Sequence, residues 1–379
     1  MTNDLHTSDA APALDDRPAP TSVGRSSTHG KAILFGEHTV LYGAPALALP
    51  VTDLVVEAVA TPIPTSDPVT DGHRLQSSVH TGPLDTAPSA VLPTVTAVRA
   101  TLRHLGIPDI ADADAADVAA HADADIAAHA DAAGAASADG AGIPDAPRFH
   151  VRVDSAVPTA RGLGSSAAVA GAVAGAVADA LGATLTADER FALVQECERI
   201  AHGSASGLDA RAVVADGPVW FDHGTVTALP VHGRFTFVVA DTGVPGHTRE
   251  AVAAVRALAD RRPDLVAEVV GRITRLAETA ARLLGDVDEV HLTRAEHLGA
   301  AMDDAQTLLT TLGVSSPDVD RLVGAARAAG ALGAKLTGGG RGGCVLVLVA
   351  DDAAVAPVGA ALRAAGATDT WTTRIGASA

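Results

Sequence analysis

The stretch VPTARGLGSSAAVAGAVAGAVADAL, residues 157–181, decides the fold of this chain. The segment before it, FHVRVDS (149–155), alternates apolar and polar residues and predicts a strand. Gly162 and Gly164 predict a tight turn, and a long apolar helix follows from Ser165. A strand, a glycine-rich turn and a helix in this order bring unpaired backbone N–H groups and the positive end of a helix dipole together. The stretch therefore predicts an anion site, most simply for a phosphate.

The same turn also has a purely structural interpretation. The glycines would then permit a tight connection, and Ser165 would be an ordinary helix cap. The stretch is not a Walker A loop, because no Gly-Lys-Ser/Thr follows the glycines at the required spacing. Phosphate binding therefore needs support from other segments.

Lysine usage supplies the first support. The chain has 27 Lys and Arg residues, yet only Lys31 and Lys335 are lysines, and each adjoins a glycine-bearing segment. A compact ammonium on a flexible stem serves purposes that a planar guanidinium does not. We expect a functional role for Lys31, while Lys335 stays open between a functional role and the end of a strand.

Composition limits the class of partner. The formal net charge is −18, whereas nucleic acids and anionic membranes bind clustered positive charge. The amino terminus has no basic start followed by an apolar run, and no stretch approaches the roughly 18–20 apolar residues of a spanning helix. We expect a cytoplasmic protein with no nucleic-acid or membrane partner, whose two cysteines, Cys197 and Cys344, are buried free thiols.

Blocks of strands and helices predict an α+β architecture in two halves. Residues 1–27 are expected to form a disordered tail, residues 28–235 a first domain, and residues 236–379 a second domain. The predicted elements are two strands within 29–60, a helix over 186–200, short strands within 212–230, a strand over 235–241, helices between 246 and 311, strands at 334–336 and 344–349, a helix over 353–365 and a closing strand near residue 371.

An Ala/Asp-rich tract interrupts the first domain at about residues 109–145. It holds nine aspartates, no basic residue and little large apolar surface, so we expect a surface insertion. His121 and His129 lie among these aspartates without a defined ligand spacing, which argues against a metal site there.

Phosphoryl transfer needs an anion cradle, a divalent cation, a positive charge near the moving oxygens and a group that orients the attacking hydroxyl. The segment HGSASGLDA (202–210) delivers one carboxylate, Asp209, in a Gly/Ser-rich turn. Alone, this aspartate would be a turn or cap residue. Its catalytic interpretation depends on the other segments.

Four segments together carry a family resemblance. GKAILFGEHTVLYG (30–43), ARGLGSSAA (160–168), HGSASGLDA (202–210) and KLTGGGRGGC (335–344) resemble, in this order, the signature segments of the GHMP small-molecule kinases. The likeness is greatest to the mevalonate-phosphorylating branch, bacterial type, and runs from about Gly30 to Gly376 without the Ala/Asp-rich tract.

The resemblance implies a GHMP kinase two-domain fold, with a first half like the second domain of ribosomal protein S5 and a ferredoxin-like second half. ATP would lie between them. The residues implied for ATP and its phosphates are Arg161, Gly162, Leu163, Gly164, Ser165, Ser166, Ala167, Gly338, Gly339 and Gly340.

The remaining site residues are also implied by the resemblance. Ser166 and Glu198 would hold Mg²⁺, Asp209 would approach the substrate hydroxyl, and Lys31 would stabilise the developing charge. The substrate end would be formed by Glu37, His38 and Thr248. For Glu37 and His38 a polar strand end, for Glu198 a solvated helix residue, and for Thr248 a helix cap are the structural alternatives.

The implied reaction transfers the ATP γ-phosphate to the 5-hydroxyl of mevalonate in isoprenoid biosynthesis. Phosphomevalonate kinase, another GHMP small-molecule kinase and a non-catalytic ligand sensor on the same scaffold are the alternatives. Intact Lys31, Ser166, Glu198 and Asp209 favour an enzyme over a sensor. The role of Arg341, which interrupts the second glycine loop, and the oligomeric state, including a homodimer, stay open.

Overall fold

The computed structural model describes residues 22–64, 72–107, 109, 147–202 and 206–377. Over these residues the fold is α+β, as predicted, with a mixed sheet in the first half of the sequence and an antiparallel sheet in the second. Strand β1 begins at Gly24, within the segment expected to be a tail. Residues 1–21 of that tail, and the Ala/Asp-rich tract beyond Asp109 with His121 and His129, lie outside the described residues.

In its described residues, the first half forms seven strands and their covering helices. The strands are β1 (Gly24–Phe35), β2 (Ala46–Ile63), β3 (Arg74–Gln76), β4 (Thr81–Pro83), β5 (Arg148–Ser155), β6 (Val219–Asp222) and β7 (Thr225–Ala228). The helices are α1 (Leu92–His104), α2 (Ser165–Ala180), α3 (Ala187–His202) and the short α4 (Leu208–Ala212), with a 3-10 turn at Thr39–Tyr42.

The second half forms a four-stranded sheet with helices. The strands are β8 (Phe235–Asp241), β9 (Gly333–Thr337), β10 (Cys344–Val349) and β11 (Asp369–Ile375). The helices are α5 (Thr248–Arg261), α6 (Pro263–Gly285), α7 (His291–Thr311), α8 (Pro317–Ala328) and α9 (Val355–Ala364).

The first sheet has the strand order β4-β3-β5-β2-β6-β7, with β1 paired antiparallel to β2. The β1–β2 register shifts between His29 and Gly30 and again between Ile33 and Phe35. Such irregularities re-aim side chains and are common next to active sites. Here they lie on either side of Lys31.

Helix α2 is almost wholly buried because its residues are small and apolar. Small side chains allow its backbone to approach β1 closely: a Cβ on Gly175 would overlap the Ser26 hydroxyl. This close packing fixes the amino end of α2, and with it the glycine turn, relative to β1.

The second sheet has the order β11-β8-β10-β9, and every residue of β8, β9 and β10 is buried. Strands covered on both faces read as continuous apolar runs, which explains why β8 and β10 have the predicted bounds. The two sheets meet where β11 passes β2: the Thr373 hydroxyl donates to Pro50 O at 2.7 Å. The largest buried apolar cluster contains residues of both halves, among them Phe35 and Phe237.

The cysteine prediction is confirmed, because Cys197 and Cys344 are both buried and free. In the described part of the chain, every helix is too short or too polar to cross a lipid bilayer.

Candidate active site

The glycine turn before α2 has the conformation that its sequence predicts. Gly162 and Gly164 have positive φ angles of 77° and 74°, and Gly164 is the residue that caps the helix. Ser165 is therefore not the cap; its hydroxyl lies 3.4 Å from Val157 O, to which it donates. The backbone N–H of Lys31 donates to Leu163 O at 2.9 Å, which ties the turn to β1.

Lys31 and Asp209 form an ion pair beside this turn. Lys31 Nζ lies 3.0 Å from Asp209 Oδ1, the lysine side chain is 3% exposed, and the aspartate side chain is 38% exposed. A Cβ on Gly164 would lie 3.0 Å from Lys31 Cγ, so only a glycine leaves room for the lysine stem. The ammonium is thus enclosed by the protein, whereas the carboxylate is partly exposed. Residues 203–205 of the segment that precedes Asp209 lie outside the described residues.

Ser166 and Glu198 meet at the same helix start. The Ser166 hydroxyl donates to Glu198 Oε1 at 2.6 Å, and Glu198 is 6% exposed, so it is not a solvated helix residue. A hydroxyl and a carboxylate oxygen are hard donors of the type that Mg²⁺ prefers. Among the described residues, no group of three or more His, Cys, Asp or Glu side chains gathers to hold a metal. A site of two protein oxygens completed by phosphates fits the usual Mg²⁺ pattern.

The second glycine loop approaches the first from the other half. A Cβ on Gly338 would lie 2.8 Å from Gly162 Cα, so the two loops touch through backbone atoms. A Cβ on Gly339 would overlap the Thr248 hydroxyl. Thr248 is the first residue of α5 after the cap residue His247, and no side-chain cap bond forms there. The cap interpretation of Thr248 is therefore wrong, and its hydroxyl faces the second loop.

Glu37 and His38 turn towards the same loop from the first half. The Glu37 side chain is 1% exposed and forms an ion pair with Lys335. Burial raises the pKa of the Glu37 carboxyl, although Lys335 opposes the shift. His38 Nε2 lies 2.9 Å from Gly339 O, and because a carbonyl only accepts, Nε2 carries the proton. Burial lowers the pKa of His38, and the nearby charge of Arg341 acts in the same direction.

The remaining predicted residues hold the loops rather than face open space. Arg161 donates from Nε to Asp241 at 2.8 Å and from Nη2 to Gly243 O at 3.2 Å. Leu163 and Ala167 have buried side chains, so only their backbone atoms are available to a ligand. Gly340, the last residue implied for ATP, accepts a hydrogen bond from the backbone N–H of His247.

Arg341 adopts a left-handed φ of 56°. Its backbone N–H donates to Val314 O at 2.8 Å, and its Nε donates to Gly313 O at 3.2 Å. The side chain is thus anchored on the carboxyl end of α7. Strained non-glycine backbones cluster at functional sites, and His38 and Ala160 in the neighbouring segments have φ angles of 57° and 55°.

Sequence reasoning missed three residues that connect the halves next to the glycine loops. The role of Lys335 was left open, although the rarity of lysine in this chain was a signal. Asp241 and Thr337 gave no signal in the sequence. The Thr337 hydroxyl accepts from the backbone N–H of Ile33 at 2.7 Å and donates to Ile33 O at 3.0 Å. Such a bond across two strands depends on tertiary packing that no local pattern encodes.

Comparison with known proteins identifies the family. Residues 132–217 match the GHMP kinases N terminal domain, and residues 287–368 match the GHMP kinases C terminal domain. The mevalonate kinase of Pyrococcus furiosus is 31% identical over 351 residues, which cover 90% of this chain and 93% of that protein. That relative is archaeal, so the bacterial subtype is not confirmed.

Solved structures agree on the fold. The L. major mevalonate kinase in complex with R-mevalonate has a TM-score of 0.73 at 21% identity and covers 95% of this chain and 98% of its own. The Streptococcus pneumoniae phosphomevalonate kinase has a TM-score of 0.64 at 15% identity, covering 93% of this chain and 99% of its own. Fold similarity at these identities does not select a substrate. The sequence match over nearly the whole length does establish descent: the chain belongs to the GHMP kinase family and is a homologue of the mevalonate kinases.

Proposed function

We propose that the chain is an ATP-dependent mevalonate kinase, which transfers the γ-phosphate of ATP to the 5-hydroxyl of mevalonate in isoprenoid biosynthesis. The observation that carries the proposal is the Lys31–Asp209 ion pair of 3.0 Å beside the serine-bearing start of α2. A cation, a partly exposed carboxylate and an anion-binding helix end are what a phosphoryl transfer to a hydroxyl requires.

The first glycine turn and α2 would cradle the phosphates. Gly162 and Gly164 give the backbone room to approach an anion, and the α2 dipole favours negative charge at its amino end. Gly338, Gly339 and Gly340 would close over the phosphates from the second half. Arg161 would act indirectly, by holding the turn against β8 through Asp241.

Ser166 and Glu198 would hold Mg²⁺, since their oxygens converge at the phosphate end of the cleft. Bound there, the ion would neutralise charge on the transferring phosphates. The residues of the chain supply the rest of the chemistry.

Asp209 would orient the substrate hydroxyl and accept its proton. A carboxylate is too weak a base to deprotonate a free alcohol outright, since water has a pKa of about 15.7. In a loose phosphoryl-transfer transition state the nucleophile needs little charge early, so the proton can move late. Lys31, enclosed beside Asp209, would stabilise the oxygen as its charge develops.

His38 and Thr248 would form the end of the cleft that receives mevalonate. Glu37 would stand behind them, because its carboxylate is enclosed and already bound by Lys335.

Phosphomevalonate as substrate would need an additional free cation for its phosphate. In the described part of the cleft, Lys31 and Lys335 are paired with carboxylates, Arg161 is paired with Asp241, and Arg341 is anchored on a backbone carbonyl. These four cations are therefore already engaged within the protein, and the choice between the two substrates falls to the assay below. The net charge of −18 fits cytoplasmic action on small molecules rather than on nucleic acids or anionic membranes.

A coupled ADP-release assay with mevalonate, phosphomevalonate, galactose and homoserine tests the proposal. We expect turnover with mevalonate, and Asp209→Asn should lower kcat by about 10³-fold or more while ATP affinity stays near that of the wild type. The exposed carboxylate Asp154 on β5 offers a matched control, because Asp154→Asn should leave kcat unchanged. Turnover with none of the four substrates would favour the sensor alternative.

The molar mass in solution, measured by light scattering, would settle whether the enzyme is a homodimer.

A further inference from the structure

Lys335 is a fully buried cation that the proposed reaction does not use. It lies in the middle of β9, its side chain is 0% exposed, and its ammonium contacts the Glu37 carboxylate and Leu336 O, the latter at 2.7 Å. A buried ion pair is seldom more stable than an apolar pair of the same size. Stability alone therefore does not account for this pair.

The pair joins the two halves of the molecule beside the second glycine loop. Glu37 follows β1 in the first half, and Lys335 lies three residues before Gly338 in the second. Two further contacts lie on either side of it: the Thr337 hydroxyl with the backbone of Ile33, and His38 Nε2 with Gly339 O. The end of β1 and the two residues after Gly36 are thus bound to the strand and loop that contain Lys335 and Gly339.

Loss of Lys335 would leave the buried Glu37 carboxylate without this partner, and an unpaired buried charge is costly.

We propose that Lys335, through its ion pair with Glu37, is a positioning residue of the kinase. It holds the second glycine loop, Gly338–Gly340, against Gly162. The expected effects on kcat and on the KM for ATP rest on the proposed kinase function. The expected effect on ADP binding does not require that the second substrate be known.

Two variants separate positioning from a structural role. Lys335→Met leaves Glu37 without a partner, and the double variant Glu37→Gln/Lys335→Met removes both charges at nearly constant volume. Arg294 is the matched control: it is a buried cation of the second half, 4% exposed, whose guanidinium donates to Leu283 O and His232 O away from the cleft. Arg294→Met should lower the thermal midpoint without changing nucleotide affinity.

The measurements are the thermal midpoint, the Kd of ADP by calorimetry, and the KM for ATP and kcat below the unfolding transition. We expect Lys335→Met to lower kcat and to weaken ADP binding by about tenfold or more. The double variant should regain the thermal midpoint, because no charge is then buried without a partner. Its ADP Kd and ATP KM should stay about tenfold above wild type.

A double variant with wild-type ADP affinity and wild-type kinetics would overturn the proposal, because the pair would then be structural only. If Lys335→Met does not fold, the double variant decides alone. Failure of the wild type to phosphorylate mevalonate would instead count against the proposed function, while the ADP titrations would still test the positioning role.

Discussion

At the scale of single residues, His38 shows how the site uses strain and burial together. It has a left-handed φ of 57°, is 7% exposed, and donates from Nε2 to Gly339 O in the opposite half. Only the neutral ring with its proton on Nε2 fits without placing a charge in a buried position. Protonation at Nδ1 would leave the Nε2–H hydrogen bond in place but would bury a charge, so the stability contributed by His38 is sensitive to pH.

This sensitivity gives a prediction with a definite sign. Burial lowers the pKa of His38 below the ordinary value of 6.5, so as pH falls through 6.5 the unfolded chain takes up a proton that the folded protein resists. Stability contributed by neutral His38 is complete above that pH and is lost below it. Urea unfolding at pH 7.5 and 5.5 should show a smaller loss of stability on acidification for His38→Gln than for wild type. The exposed His223, with a side chain 77% accessible, is the control, since His223→Gln should keep the wild-type loss. Equal losses in all three proteins would contradict the assignment.

The sequence predicted the identity of the main site residues but not their pairing. Lys31, Ser166, Glu198 and Asp209 stand in segments with recognisable glycine and serine patterns, and the structure brings them together. Which lysine faces which carboxylate depends on the register shifts of β1 and on contacts between sheets. Neither leaves a local trace, so the Glu37–Lys335 pair was not predicted. The catalytic and binding roles of the four main site residues stay predictions until the variants are measured.

At the scale of elements, the ends of one helix and two strands were the best-predicted features. The predicted start of α2 at Ser165 and the predicted bounds of β8 and β10 agree with the structure, because glycines and continuous apolar runs mark these ends in the sequence. The start of β1 was not predicted. Gly24 pairs with Ala60, so β1 extends because β2 provides a partner, and such pairing is invisible to a local pattern.

The packing of α2 on β1 predicts a rescue between two positions. A Cβ on Gly175 would overlap the Ser26 hydroxyl and lie 2.8 Å from Ser26 Cβ, so Gly175→Ala should cost about 1–3 kcal/mol of unfolding free energy. Ser26→Gly removes both atoms and should restore part of that loss in the double variant. Denaturant unfolding of the four proteins in the cycle measures the coupling. Strictly additive effects would mean that the two residues do not meet.

The start of α3 carries a reciprocal cap whose loss can be measured. The Thr186 hydroxyl accepts from the Glu189 backbone N–H at 3.2 Å, while Glu189 Oε2 accepts from the Thr186 backbone N–H at 2.7 Å. This arrangement is a capping box, and Thr186→Ala should lower stability by about 1 kcal/mol. Helix α3 also carries Glu198, so the thermal midpoint of each variant should be measured together with the Mg²⁺ dependence of its activity. Thr186→Ser, which keeps the hydroxyl, should stay close to wild type, and a similar loss in Thr186→Ser would argue against the cap.

At the scale of the whole molecule, the two sequence halves share their main core. The largest apolar cluster joins Val56 of the first sheet with Val239 and Leu346 of the second, and the backbone N–H of Thr372 donates to Asp53 at 3.1 Å. The division near residue 235 into two domains stays a prediction about function and ancestry. Energetically, a shared core makes separate unfolding of either half costly, because each would expose apolar surface that the other now covers.

The two thiols report on that cooperativity, one from each half. Burial raises the pKa of Cys197 in α3 to about 12, and burial also raises the pKa of Cys344 in β10, so neither should react with a thiol reagent in the native protein. Pulse labelling along a urea series, read by mass spectrometry of the two peptides, should show both thiols becoming reactive over the same denaturant range. Cys197→Ala and Cys344→Ala each leave a single reporter and serve as controls for assignment. If one thiol became reactive at clearly lower urea than the other, the halves would unfold independently, and the shared core would be too weak to couple them.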